Sequence, residues 1–175
     1  GISDTTEFHK LWDLPALPLT ERFGTYSPDQ PLAFDQELVI SLPTGHVQLR
    51  NQLDPKILYS SDEYAFRTGK SDTSRSGVDF FLAKLKQFTG GQTFESAVDV
   101  GGNDLFVARG LVDSAKHTAV IDPICAESDG QTIDGIKVFG RFVEDVNLSC
   151  DLPVPDLVVC RHTLEHIAEP RKVID

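Results

Sequence analysis

Apolar and polar residues alternate in two short runs near the start of the chain, Glu37-Leu38-Val39-Ile40-Ser41 and His46-Val47-Gln48-Leu49-Arg50, separated by Leu42-Pro43-Thr44-Gly45. A period of two on either side of a joint that holds Pro and Gly predicts two strands closed by a turn. Residues 1–60 also hold most of the prolines (Pro15, Pro18, Pro28, Pro31, Pro43 and Pro55), so we expect a small β-rich N-terminal module there. Residues 61–76 are polar and rich in Ser, Thr and Gly, which predicts a connecting loop. The period then changes. Val78, Phe81, Leu82, Leu85 and Phe88 fall at the spacing of one helical face, and Gly90-Gly91 supplies a stop.

From Phe94 onward short apolar runs alternate with turns and helical segments. Strands are expected at 97–100, 118–122, 136–139 and 157–160, with a short helix over 105–111. Runs that are apolar throughout, rather than alternating, predict a parallel sheet covered on both faces. The fold class is therefore α/β, a Rossmann-like domain over 77–175. The interval from Asp122 to Ile136 is short for a crossover helix, and Asp129-Gly130 predicts a turn within it.

In such sheets a nucleotide-like ligand sits at the carboxyl ends of the central strands. Asp99-Val100-Gly101-Gly102-Asn103-Asp104 lies at one such end, and two glycines there let the backbone bend sharply and approach a ligand. Alone, this is equally a tight turn. Asp122 closes the next strand, where a carboxylate can accept hydrogen bonds from a ribose diol; a strand-end Asp capping a turn before Pro123 is the plainer alternative.

A third stretch narrows the choice. Pro155-Asp156-Leu157-Val158-Val159-Cys160-Arg161-His162-Thr163-Leu164-Glu165-His166-Ile167 resembles the fourth-strand motif of class I S-adenosylmethionine-dependent methyltransferases, an Asp-led apolar strand running into His-x-Leu-Glu-His-Ile. From residue 37 onward the chain is similar to the sugar C-methyltransferases and their relatives, which carry an N-terminal zinc-binding module. The family's Cys-x-x-Cys-Gly-x-x-Gln-Leu corresponds to residues 41–49 here, its Leu-Tyr and Tyr-x-Tyr to Leu58-Tyr59 and Tyr64-Ala65-Phe66, and its Asp-x-Gly-x-Asn-Asp-Gly to residues 99–105.

The resemblance implies S-adenosylmethionine as cofactor, with Asp99, Gly101, Gly102 and Asn103 bordering its methionine and ribose portions. It implies Asp122 on the ribose hydroxyls, Pro123 and Ile124 along one adenine face, and Phe142 and Val143 at the adenine edge. Arg161 and His162 would line the pocket floor beside the methyl group. His162 and His166 are the candidate bases, because a histidine titrates near neutrality.

Three departures qualify these expectations. Ser41 and Thr44 stand where the family has cysteines, and hydroxyls do not replace thiolates on zinc, so no metal is expected. Leu105 replaces the family's last loop glycine and is expected to crowd the methionine portion. Ending at Asp175 leaves the 157–160 strand at an open edge, so we expect either a longer native chain or a second copy over it.

The charge balance narrows the partners. With 27 acidic residues against 16 basic ones, a net charge of −11 repels phosphate backbones and anionic lipid, so neither nucleic acid nor membrane is an expected partner. A small-molecule acceptor is. Three widely spaced cysteines and a polar N-terminal segment predict reduced thiols and a cytoplasmic location. Two other functions stay open: a module derived from a methyltransferase that no longer catalyses, and an NAD-dependent Rossmann enzyme, disfavoured because 99–109 lacks Gly-x-Gly-x-x-Gly.

Overall fold

The computed structural model describes residues 7–18, 33–54, 68–150, 152–167 and 169–174. Leu58, Tyr59, Tyr64, Ala65 and Phe66, and the expected loop up to residue 67, lie outside the described residues. The chain divides into two units, one made of Gly1–Ala65 with Ile167–Asp175, the other of Phe66–His166.

The first unit contains a three-stranded antiparallel sheet, β1 (His9–Pro18), β2 (Ala33–Ile40) and β3 (Val47–Leu49), in that order. The expected strand pair is β2 and β3, in register Leu38↔Leu49 and Ile40↔Val47. Ser41 and Thr44, in the turn, are joined by a hydroxyl–hydroxyl bond of 3.0 Å. The sequence pattern did not show β1. Pro15 and Pro18 speak against a strand, yet β1 is an edge strand, and its register shifts near Lys10 and again between Leu14 and Leu17. Prolines are tolerated at edges and irregularities of this kind. A concavity of about 320 Å³ beside β2 is lined by Asp13, Asp35, Glu37 and Arg50 among others. Its polar groups already serve the sheet: Glu37 pairs with Arg50, and Asp35 accepts the Ala16 N–H. Helix α3 (Pro170–Ile174) belongs to this unit as well.

In the second unit a 3-10 turn (Thr68–Lys70) leads into α1 (Asp72–Phe88), which corrects the loop expected through residue 76. Its Ser- and Thr-rich start is a capped helix end, because the Ser71 side chain accepts the Ser74 N–H. Val78 is buried, and Phe81, Leu82 and Leu85 pack with it against Ala97, Leu111 and Val159. Phe88 is not part of that face. At the last position of the helix it is 91% exposed.

The sheet of this unit runs β6 (Thr132–Ile133), β7 (Ile136–Phe139), β5 (Ala115–Ile121), β4 (Phe94–Val100), β8 (Leu157–Cys160), with all neighbours parallel except the β6–β7 pair. This is a Rossmann-like α/β arrangement, with β4 and β5 central. The β6–β7 hairpin turns at Asp134-Gly135, both at positive φ (51° and 80°), as a two-residue primed turn requires. Between β5 and β6 the chain makes 3-10 turns over Pro123–Ser128, without an α-helix.

Both sheet faces are covered, but not both by helices. Helices α1 and α2 (Phe106–Leu111) pack on one face. The other face, with Val98, Val100, Ala119, Ile121 and Phe139, takes Val143, Val146, Leu148 and Leu152 from short 3-10 turns. At the start of β8, the Asp156 carboxylate accepts the N–H groups of Glu95 and Ser96 at 3.0 and 2.9 Å, which holds its proton affinity below the usual carboxylate range. The Asp that leads the resembling motif thus sets the register of β8 against β4. Val158 is 59% exposed on β8, which forms the edge of the sheet among the described residues. No described helix is long and apolar enough to cross a membrane, and the described residues hold no group of three or more His, Cys, Asp or Glu suited to a metal.

Candidate functional site

Strands β4, β5, β7 and β8 run parallel, so their carboxyl ends share one edge. Gly101 extends the ladder past β4 by donating its N–H to Ile121 O at 2.8 Å, then turns the chain at φ +76°. A Cβ at Gly101 would lie 2.8 Å from Thr163 Cβ and closer still to the rest of that side chain. Gly102 is buried, and a Cβ there would meet Val120 and come 2.8 Å from Asp99 Oδ2. Both glycines are therefore required by the protein's own packing at the loop.

Asn103 (φ 49°) and Leu105 (φ 62°) continue the loop in the left-handed region. Asn tolerates this conformation; a leucine adopts it only under constraint. The constraint is visible. Leu105 N–H donates to Gly102 O, Leu105 O accepts from Arg109 N–H, and the side chain packs against Ala108, Val120, Ile136 and Val138. Crowding at the loop comes from Thr163 on Gly101, a contact the sequence reasoning missed although it had singled out the motif containing Thr163.

Asp122, at the end of β5, is 7% exposed. Its Oδ2 accepts the Asn103 N–H at 2.8 Å and its Oδ1 accepts the Ile124 N–H at 2.9 Å. The glycine turn and the second-strand aspartate are thus one constellation, tied main chain to carboxylate. Pro123 and Ile124 open the adjoining 3-10 segment, and Cys125 Sγ donates to Asn103 O at 3.1 Å. Phe142 is half-buried beyond the end of β7, whereas Val143 packs into the core beneath Val98 and Ile121.

Asp99 is 2% exposed, and its Oδ2 has no hydrogen-bond partner. Burial pushes its carboxyl up to about 7; Arg161 pulls the other way, and Asp122 adds to the rise. Arg161 follows β8, with its guanidinium 4.7 Å from the centre of the Phe81 ring on α1. His162 (φ 54°) and His166 are both exposed, so His162 does not form the floor expected of it. Thr163 Oγ1 donates to Arg161 O, and the His166 N–H to Thr163 O, which fixes the turn that carries them. The Cys160 thiol is pushed up first by burial, then by Glu165, which leaves it protonated near neutrality.

No family profile and no curated protein matches the chain. Solved structures similar to it include HcgC from Methanococcus maripaludis, cocrystallized with SAH and pyridinol. That likeness has 22% identity and a TM-score of 0.38, over 48% of this chain and 33% of that one. The chain spans about a third of that protein's length.

Proposed function

We propose that this chain binds S-adenosylmethionine at the carboxyl ends of β4 and β5 and transfers its methyl group to a small molecule, such as a nucleotide-linked sugar or natural-product intermediate. One observation carries the reading: the Asn103 N–H to Asp122 Oδ2 bond of 2.8 Å, which joins the glycine turn to the acidic strand end. The local donor set fits the cofactor by charge. The Asp122 carboxylate attracts a sulfonium, an ammonium and ribose hydroxyls.

When bound, the cofactor supplies an electrophilic methyl group on a sulfonium. Gly101, Gly102 and Asn103 would border its methionine and ribose portions, and the Asp122 carboxylate would accept from the ribose hydroxyls. Pro123, Ile124 and Phe142 would flank the adenine. His162 accepts the acceptor's proton at the exposed rim, with His166 as the second candidate. We also infer a cytoplasmic setting, and either a second copy or further chain over the β8 edge.

A second reading, a cofactor-binding or interaction module without turnover, is favoured by the Thr163 side chain seated on Gly101. Calorimetric titration together with a methyl-transfer assay separates the readings. Saturable binding of S-adenosylmethionine and S-adenosylhomocysteine but not NAD supports ours, and binding of NAD alone overturns it. With turnover established, His162→Ala is expected to lower kcat about a hundredfold with S-adenosylhomocysteine affinity unchanged. Unchanged kcat would remove His162 and leave His166.

A further inference from the structure

Among the described residues four arginines are spent on carboxylates: Arg50 pairs with Glu37, Arg75 with Asp72, Arg109 with Asp134 and Arg141 with Asp129. Arg161 differs. Among the described residues its guanidinium has neither a carboxylate within 4.0 Å nor a hydrogen-bond acceptor, although the chain has 27 acidic residues against 16 basic ones. It is half-buried and rests on the Phe81 ring, its central carbon 4.7 Å from the ring centre.

A guanidinium stacked by its face keeps its edge, with a planar fork of N–H donors, for a ligand. The fork matches a carboxylate or phosphate in bidentate geometry. A second observation lies on the same sheet face: Asp99 Oδ2, on a side chain more than nine-tenths buried, has no partner, and Arg161 is close enough to ease its ionisation without pairing with it. Two unlike groups therefore stand near each other, neither satisfied, at the strand ends where the cofactor loop also lies.

We propose that Arg161, seated on Phe81, is an anion seat that docks the carboxylate or phosphate of the methyl acceptor, and is not part of the cofactor's own site. The acceptor role rests on the methyl-transfer reading; the anion seat itself does not. It gives Phe81 a function as the platform that holds the fork in place. The implied acceptors are small molecules that carry a carboxylate or a phosphate.

The test follows the Arg161 Nε–H resonance during titration with inorganic phosphate and, separately, acetate, with S-adenosylhomocysteine affinity measured in parallel. The expected result is a saturable shift at Arg161 with at least one anion. Arg161→Gln should weaken that binding at least tenfold. Tighter phosphate binding assigns a phosphorylated acceptor, tighter acetate binding a carboxylated one. Arg161→Lys keeps the charge and loses the fork, and Phe81→Leu loses the platform. Either should weaken binding severalfold, which keeps the proposal testable if Arg161→Gln does not fold. No shift with either anion, or undiminished anion binding in the variants, overturns the seat. Anion binding without any S-adenosylhomocysteine binding keeps the seat and overturns the methyl-transfer reading instead.

Discussion

Replacing Gly101 with Ala is expected to destabilise the protein by about 3 kcal/mol. Two causes add. A residue with a Cβ at φ +76° costs about 1–2 kcal/mol in the left-handed region, and overpacking a filled site costs about 1–3 kcal/mol more. The collision is with Thr163, whose Cγ2 and Cβ would stand 2.6 and 2.8 Å from the new methyl group. Because Cβ itself is too near, rotating the threonine does not relieve the clash. Thr163→Ala should therefore rescue Gly101→Ala only in part, and Thr163→Gly more fully, while the backbone cost stays. Urea unfolding of the single and double variants measures this, and a coupling of about 1–2 kcal/mol is expected. Strict additivity would mean that Thr163 does not rest on Gly101.

Asp99→Asn is expected to change how stability depends on pH. The wild-type carboxyl has its folded-state value raised from 3.8 to about 7, mainly by burial. Between those limits the folded chain holds a proton that the unfolded chain has released, so stability falls as pH rises, by about 1.4 kcal/mol per unit. The loss is complete above about pH 7 and is on the order of 4 kcal/mol; at 2% exposure, solvent screening does little to reduce it. An asparagine does not ionise. The variant should match wild type near pH 4, lack the decline from 4 to 7, and be several kcal/mol more stable at pH 8. Asp129 and Asp156 act in a separate window. Their affinities for protons are lowered, Asp129 by Arg141 and Asp156 by two backbone N–H groups, so their contribution is lost only as pH falls below the ordinary carboxylate range. Equal slopes from pH 4 to 7 in both proteins would show that Asp99 is solvated.

Strands β7 and β8 were legible to the residue, because each is a short apolar run bounded by turn chemistry or a leading Asp. Local signals failed where they compete. The Ser- and Thr-rich approach to α1 contains its cap, and Asp134-Gly135, rather than Asp129-Gly130 alone, makes a hairpin turn. Strand β1 was hidden by prolines that its edge position and irregular register accommodate. At the site, the glycine turn and Asp122 could be paired from sequence because a short helix and a strand separate them, a spacing set by local geometry. Thr163 on Gly101 and Arg161 on Phe81 could not. Both contacts join segments distant in the chain, brought together only when β8 docks parallel to β4 and α1 covers their shared face.

In the proposed function the tip of β4 and the end of β5 form one adenosyl site. Amide resonances followed while S-adenosylhomocysteine is added test it most directly. The expected result is a saturable shift concentrated at Gly101, Gly102, Asn103, Asp122 and Ile124. Saturation with those amides unmoved, or no shift anywhere at millimolar ligand, would contradict it.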